Sequence, residues 1–200
     1  MRPDSTPSLI LASTSVYRRE LLARLRVPFD IVPPQVDETP MPEEKPRQLA
    51  CRLAMAKARA VAALHPQAIV VGSDQVADLN GQALGKPLVH AVAVRQLQQM
   101  RGQTVVFQTA VAVVCQSRSF AQMDLAQVTV RFRDLTDTEI EEYLQAEQPY
   151  DCAGSARSEG LGIVLLDAID NDDPTALIGL PLIRTSRMLR AAGLRFPGAA

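Results

Sequence analysis

Residues 68–74 read Ala-Ile-Val-Val-Gly-Ser-Asp, and this stretch decides the fold class. A run of apolar residues closed by a glycine is typical of a buried strand that ends in a turn, which leaves Asp74 at the carboxyl end of that strand. The preceding residues 47–64 carry leucines and alanines at helical spacing, and residues 9–12, Leu-Ile-Leu-Ala, predict an earlier strand. The chain therefore contains a β-α-β unit.

The alternation of helices and strands continues along the rest of the chain. No internal repeat interrupts it, so we predict an α/β protein with a mixed central sheet flanked by helices. The further predicted elements are a helix from residue 16, a short strand over 29–32, a proline-rich loop over 35–46, a turn over 81–87, a helix over 91–100, a strand or hairpin pair over 104–114, a half-buried strand around 128–132, a helix opened by the capping box at 136–139, a strand over 160–166 and a closing helix over 181–192.

Composition excludes several classes of protein. The chain has 200 residues, 47% of them apolar, which is enough for the core of one domain. Lys and Arg number 21 and Asp and Glu 22, so the net charge of −1 supplies no bulk field for nucleic acid or anionic lipid. Aromatic residues are 4% without tryptophan, which argues against a base-stacking platform. We expect a soluble globular protein that binds neither nucleic acid nor a membrane.

Cysteine usage and the N-terminus predict the compartment. Cys51, Cys115 and Cys152 form no CxxC pair, so neither a zinc motif nor a disulfide framework is expected. Residues 1–8 are polar with two prolines, and the apolar run at 9–12 is too short for the hydrophobic region of a signal peptide. The expected location is the reducing cytoplasm.

The first candidate site lies where the first strand passes into a helix. Residues 13–15, Ser-Thr-Ser, are followed one turn later by Arg18 and Arg19. The free N–H groups at a helix start attract anions, and arginines there are disfavoured unless an anion joins them. Arg18 shares the inward side of the helix, whereas Arg19 points outward. The segment predicts an anion site built from Ser13, Ser15 and Arg18; the alternative is a plain cap with two solvated arginines.

Acidic residues supply the second candidate site. Ligands of open α/β sheets bind at the carboxyl ends of strands, where Asp74 is predicted to lie, and a carboxylate there can hold a divalent metal or orient a water. Asp37 and Glu38 lie in the proline-rich loop. A magnesium ion near phosphates is typically held by one or two carboxylates together with substrate oxygens. The alternatives are a turn-forming aspartate and two solvated acids.

Two lysines and a glycine-containing segment complete the candidates. Lys57 borders the buried stripe of the second helix, and Lys86 lies in a tight turn that can present its ammonium at a cleft. The three glycines of residues 153–162 permit close approach of a ligand to the backbone, although their order is not that of a dinucleotide fingerprint. Surface lysines and a flexible loop are the alternatives.

Taken together, these segments resemble the Maf family of nucleotide pyrophosphatases. The resemblance implies an elongated, two-lobed α/β fold with a mixed sheet, similar to inosine triphosphate pyrophosphatases, in one domain over residues 1–200 with a central cleft. It also implies cleavage of a nucleoside triphosphate to the monophosphate and pyrophosphate with a divalent cation, Mg²⁺ or Mn²⁺. The matching pieces, in the family's order, are residues 9–22, 36–38, 53–58, 71–74, 85–87 and 179–182.

Within that family, Asp74-Gln75 and residues 151–162 resemble the YceF-like branch, which hydrolyses 7-methyl-GTP. The branch that acts on dTTP and UTP usually has Asp-Thr at the first place and a shorter second segment. By position, Asp74 matches the active-site proton acceptor, whereas Tyr17, Gln75 and Glu159 match substrate-selecting positions. Methylation at N7 makes guanine cationic, so a carboxylate such as Glu159 and an aromatic face such as Tyr17 favour it.

The implied reaction is attack by water on the α-phosphorus. Glu38 and Asp74 are expected to share the metal, and Asp74 is also the candidate base, two roles that one carboxylate does not readily combine. Lys57 and Lys86 are expected to act with Asp74 by neutralising charge as pyrophosphate leaves, while Arg18 and the serine cap hold the phosphates.

Two alternatives stay open at the level of function. One is the same chemistry on dTTP, UTP or another modified nucleotide. The other is a non-catalytic nucleotide-binding regulator of septation, a role linked to the family name. The sequence excludes neither a monomer nor a homodimer.

Overall fold

The fold is built around a seven-stranded mixed sheet. The computed structural model of the protein describes residues 7–196. The strands are β1 (Leu9–Ala12), β2 (Asp30–Ile31), β3 (Ile69–Leu79), β4 (Gln82–Leu84), β5 (Thr104–Cys115), β6 (Phe120–Phe132) and β7 (Leu166–Asp170), and the helices are α1 (Val16–Ala23), α2 (Pro46–Leu64), α3 (His90–Met100), α4 (Asp137–Glu147) and α5 (Leu182–Ala191).

The sheet changes from parallel to antiparallel at β3. β1 lies between β2 and β3, and these three strands run parallel. β3 pairs antiparallel with β4 and β5, and β6 and β7 continue the antiparallel half. The predicted mixed α/β sheet flanked by helices is therefore confirmed. The elongated outline, the two lobes and the single domain over residues 1–200 stay predictions.

Helix starts follow the predicted capping residues. α1 begins at Val16, where the Ser15 hydroxyl accepts a hydrogen bond from the backbone N–H of Arg18 at 3.4 Å. At the start of α4, Thr136 and Glu139 exchange side-chain-to-backbone hydrogen bonds, and the bond from the Thr136 N–H, together with bonds from the Arg133 and Thr136 side chains, lowers the pKa of Glu139 to about 2. Local side-chain chemistry thus determines both helix starts.

The predicted end of the strand at residues 68–74 is wrong. β3 does not stop at Gly72 but continues to Leu79, because β5 pairs with it without interruption from Val70 to Asp78. Asp74 therefore lies in the middle of a strand and not at its carboxyl end. The paired antiparallel neighbour supplies backbone hydrogen bonds that the local sequence does not reveal.

Of the two alternatives for residues 104–114, a strand or a hairpin pair, the structure has the single strand β5. Two further element predictions are corrected. The predicted turn at 81–87 contains β4, which pairs with β3 through a tight hairpin at Asn80 and Gly81, both with positive φ. Residues 161–165 form a 3₁₀ turn instead of a strand, since the chain folds back on itself so closely that a side chain at Gly162 would collide with the carbonyl of Arg157.

Apolar residues gather in three cores. The α2 core and the α1/α5 core lie on opposite faces of β1, β3 and β5, because alternate strand residues join opposite clusters. The α3/α4 core packs on the far parts of β3, β5 and β6. Representative members are Leu53, Val70 and Ala112 of the α2 core, Leu21, Val71 and Leu189 of the α1/α5 core, and Leu97, Phe107 and Leu144 of the α3/α4 core.

Within residues 7–196, no helix is long and apolar enough to cross a bilayer. The expectation about the polar N-terminus rests largely on residues 1–6, which lie outside the described residues.

Candidate active site

Two carboxylates meet at one buried ammonium. Lys57 Nζ lies 2.7 Å from Asp74 Oδ1 and 2.8 Å from Glu38 Oε1. Lys57 and Asp74 are buried, with 5% and 7% of their surface exposed, whereas 59% of the Glu38 side chain is exposed. The structure therefore brings together three predicted site residues from α2, β3 and the proline-rich loop, and one edge of the group faces solvent.

Close packing of α2 on β3 makes this meeting possible. A Cβ atom at Gly72 would overlap the Ala54 carbonyl and come within 2.6 Å of the Ala58 backbone nitrogen. Only a glycine permits α2 to lie this near the strand. Asp74 is two residues further along β3 and so faces the same helix, which places its carboxylate within reach of Lys57.

Arg18 of α1 lies near enough to this group for the charges of Asp74 and Glu38 to act on its guanidinium. Its Nε donates a hydrogen bond to the Gly179 carbonyl at 2.9 Å, which fixes the guanidinium, and within residues 7–196 its two terminal nitrogens have no hydrogen-bond partner. Burial lowers the pKa of Arg18 from its ordinary value, while the nearby charges of Asp74 and Glu38 oppose that shift. The predicted inward direction of Arg18 is confirmed, since its neighbour Arg19 is exposed.

The two cap serines build the turn in front of Arg18. Ser13 is buried and its hydroxyl accepts a hydrogen bond from the Ser15 N–H at 3.1 Å. The Ser15 hydroxyl in turn accepts from the Arg18 N–H. Ser15 is thus the N-cap of α1 and Ser13 supports the turn before it, whereas the binding of an anion by the two serines stays a prediction.

Gln75 is tied to the loop that precedes α5. Its Nε2 donates to the carbonyls of Ala176 and Leu177 at 3.0 and 2.8 Å and lies 3.0 Å from Thr109 Oγ1. The amide nitrogen is therefore engaged inside the protein. Among the described residues Oε1 has no hydrogen-bond partner, so this oxygen is the atom of Gln75 that can read a base.

Tyr17 and Glu159 meet through a residue that was not a predicted site residue. The Arg157 guanidinium lies over the Tyr17 ring, with Cζ 5.2 Å from the ring centroid, and its Nε is 3.5 Å from Glu159 Oε1. The Tyr17 hydroxyl lies 3.4 Å from Asp151 Oδ1, and burial raises the pKa of that hydroxyl. This group, called the Tyr17 cluster below, comprises Tyr17, Asp151, Arg157 and Glu159.

Lys86 stands apart from these groups. It is exposed, and among the described residues no carboxylate lies within ion-pair distance of it. Its turn is attached to the segment that leads to Arg157, because the Gly85 carbonyl accepts hydrogen bonds from Gln96 Nε2 at 3.1 Å and from the Gly154 N–H at 3.3 Å. The turn of Lys86 is thus hydrogen-bonded to the segment that carries Arg157 and Glu159, and among the described residues Lys86 forms no ion pair with Asp74.

An arginine that sequence reasoning missed holds the loop of Glu38. Arg52 donates to both carboxylate oxygens of Glu44, at 2.6 and 2.8 Å, and to the Thr39 carbonyl at 3.0 Å. These bonds lower the pKa of Glu44 to about 2. The signal available in the sequence was the length of the loop, because a long loop that presents one carboxylate needs an anchor.

The carboxylate pair fits a divalent cation only in company with a substrate. Within residues 7–196, no three His, Cys, Asp or Glu side chains are grouped as a metal site. Glu38 and Asp74 nevertheless both contact the Lys57 ammonium, so their carboxylates lie close together. Magnesium near phosphates is typically held by one or two carboxylates plus phosphate oxygens. The donor set therefore suits a hard cation that arrives with a nucleotide.

Comparison with known proteins gives close relatives over nearly the full chain. A protein of Albidiferax ferrireducens named 7-methyl-GTP pyrophosphatase is 72% identical over 191 residues, which cover 96% of each chain. Proteins with the same name from Polaromonas sp. and Burkholderia pseudomallei are 69% and 60% identical, over 97% and 98% of this chain and 88% and 92% of theirs.

A more distant likeness exists among solved structures. A HAM1 protein from Coxiella burnetii overlaps 64% of this chain and 74% of its own with a TM-score of 0.45 and 13% identity.

The family model described as Maf-like protein matches residues 8–192. The chain therefore belongs to the Maf-like protein family.

Proposed function

We propose that this protein is a nucleoside triphosphate pyrophosphatase that hydrolyses 7-methyl-GTP to 7-methyl-GMP and pyrophosphate. The name shared by its close relatives supports the substrate. The observation that carries the chemistry is the buried Lys57 ammonium between Asp74 and Glu38, with the Arg18 guanidinium held beside them. Such a centre combines a proton acceptor with positive charges for phosphates.

The reaction is a substitution at the α-phosphorus. A water oxygen forms a bond to that phosphorus, the bond to the oxygen bridging to the β-phosphorus breaks, and pyrophosphate leaves. Asp74 takes the proton of the attacking water, and Lys57, 2.7 Å away, orients this carboxylate. Arg18 presents its terminal nitrogens to the phosphate oxygens. Lys86 is assigned to the leaving pyrophosphate on the resemblance alone.

Glu38 and Asp74 would hold Mg²⁺ or Mn²⁺ brought in with the nucleotide. The ion would supply charge neutralisation at the phosphate oxygens. Because Asp74 is bonded to Lys57, we assign its proton-accepting role to the oxygen that is free of that bond, and the more exposed Glu38 is the better placed ligand.

Binding of the nucleobase is assigned to the Tyr17 cluster. A 7-methylguanine ring carries a positive charge, which the Glu159 carboxylate and an aromatic face both favour over neutral guanine. Gln75 Oε1 adds an acceptor for base N–H groups. A cytoplasmic location, as a monomer or a homodimer, stays a prediction from the sequence.

A substrate panel tests the proposal. Purified protein with Mg²⁺ or Mn²⁺ is incubated with 7-methyl-GTP, GTP, dTTP and UTP, and pyrophosphate release is measured. We expect 7-methyl-GTP to be preferred and EDTA to abolish turnover. Preference for dTTP or UTP would contradict the substrate, and tight nucleotide binding without turnover would favour the regulator.

The variant Asp74→Asn tests the chemistry. Loss of a general base costs roughly 10²- to 10⁴-fold in kcat, while nucleotide binding persists. Asp78→Asn is the matched control, because Asp78 lies on the same strand and accepts hydrogen bonds from the Gly81 N–H and Gln108 Nε2 at 2.8 and 3.2 Å, away from the centre. An Asp74→Asn protein with an unchanged rate would refute the assigned role.

A further inference from the structure

The feature that the proposed chemistry leaves unused is Arg157. Three different parts of the chain meet at its guanidinium. Nη1 donates to Glu147 Oε1 at the end of α4 at 3.0 Å, the Tyr17 ring of α1 lies below it, and Glu159 Oε1 is 3.5 Å from Nε. The planar guanidinium of Arg157 thus joins Tyr17 and Glu159, the aromatic and the acidic residue that are assigned to binding of the nucleobase.

Glu147 holds both Arg157 and the turn that carries Glu159. Its Oε2 accepts a hydrogen bond from the Leu161 N–H at 2.8 Å, and only 13% of its side chain is exposed. The backbone comes so close that a Cβ atom at Gly160 would lie 2.6 Å from Glu147 Oε1. The position of residues 157–161 is therefore determined by Glu147 as well as by local turns.

Charge explains why Glu159 needs this partner. Glu147, Asp151 and Glu159 are three carboxylates on the segments around Tyr17, and Arg157 is the cation that lies between two of them. Without it, mutual repulsion and solvation would draw the Glu159 carboxylate toward water. Arg157 Nε is buried and has no hydrogen-bond partner among the described residues. Its N–H can therefore donate a hydrogen bond to Glu159 when a nucleobase packs against the Tyr17 cluster.

We propose that Arg157, anchored by Glu147, is a positioning residue that keeps the Glu159 carboxylate beside the Tyr17 ring, and that discrimination of 7-methylated from unmethylated guanine depends on it. The inference rests on the proposed function. Arg157 has no ion pair with Asp74 or Glu38 among the described residues, so it acts on the base and not on the phosphate chemistry.

The variant Arg157→Gln tests the inference, because it keeps the aliphatic stem and a polar amide while it removes the guanidinium and its charge. We expect KM for 7-methyl-GTP to rise about tenfold, since this corresponds to a cation–π and charge contribution of ordinary size. KM for GTP should change by less than about twofold and kcat for either substrate should persist. Arg157→Lys should restore only part of the selectivity, because an ammonium lacks the planar fork.

Arg133→Gln is the matched control. Arg133 pairs with Glu139 of α4 at 2.8 Å and donates to the Val164 carbonyl, and within residues 7–196 it has no hydrogen bond or ion pair with the Tyr17 cluster. We expect it to leave the ratio of the two substrates unchanged. Should Arg157→Gln fail to fold, Glu147→Gln provides the second variant, with a smaller loss of selectivity in the same direction.

Three outcomes would overturn the inference. Equal losses on 7-methyl-GTP and GTP would indicate a merely structural role, unchanged KM values would indicate no role, and tighter binding of 7-methyl-GTP would show that Arg157 competes with the base. Calorimetric binding of 7-methyl-GMP and GMP gives a readout separate from turnover. A wild-type protein that hydrolyses neither guanine nucleotide contradicts the proposed function, whereas a selective wild type with an equally selective Arg157→Gln contradicts the inference alone.

Discussion

At the residue scale, the centre depends on one buried ammonium that neutralises two carboxylates of very different exposure. Asp74 is almost fully buried and its ion partner is Lys57, whereas most of the Glu38 side chain is exposed. Removing the cation from a buried pair leaves an uncompensated charge in a medium of low polarity, and this is strongly unfavourable. Removing an exposed carboxylate costs little, because water already solvates it.

Lys57→Met should therefore destabilise the protein more than Glu38→Gln. We expect a loss of about 3 kcal/mol for the first and less than about 1 kcal/mol for the second, measured by urea unfolding. Lys86→Met is the matched control, since this lysine is exposed, and it should change the free energy of unfolding by less than about 0.5 kcal/mol. Equal losses for Lys57 and Lys86 would show that the buried ion pair does not contribute as argued.

At the element scale, the site exists because α2 lies against β3 without a side chain between them at Gly72. The same close approach buries the alanines of α2 and aims Lys57 at the middle of the strand. The loop with Glu38 is then held on α2 by Arg52, so one helix positions both Lys57 and the second carboxylate that Lys57 contacts.

Gly72→Ala should push α2 away from β3. We expect a loss of about 1–3 kcal/mol in the free energy of unfolding, together with a fall in kcat, because a shift of the helix separates Lys57 from Asp74. Gly85→Ala is the control for stability, since an added Cβ there meets nothing within 4 Å. A Gly72→Ala protein with wild-type stability and rate would contradict the dependence of the site on this contact.

At the scale of the whole molecule, β3 and β5 join all three cores. β3 gives Val70 to the α2 core, Val71 to the α1/α5 core and Leu79 to the α3/α4 core, and β5 contributes to each in the same way. One core cannot unfold without disturbing strands that the other two share, so the molecule is expected to unfold as a unit.

Wild-type protein should show a single urea transition that coincides by far-UV circular dichroism and by tyrosine fluorescence. Leu21→Ala in the α1/α5 core and Leu97→Ala in the α3/α4 core should each lower its stability by about 2–5 kcal/mol. Because the two sites belong to separate cores, their effects should add within about 0.5 kcal/mol. Two separated transitions would show that the cores are independent.

The sequence by itself determined the helices, the caps of α1 and α4, and the inward side of α1. Those features arise from contacts within a few residues, as between Ser15 and Arg18 or Thr136 and Glu139. The order of the short motifs was likewise enough to indicate the family. These predictions succeeded because periodicity and capping act locally.

Only the tertiary structure decided how the site is assembled. β3 continues past Gly72 because a distant strand pairs with it, and the amide of Gln75 is engaged by a carbonyl 102 residues away. Tyr17 meets Asp151 across 134 residues, and Arg157 lies on the Tyr17 ring. Such contacts depend on which surfaces pack together, and the physical reason they escape the sequence is that each requires the whole chain to close around the sheet first.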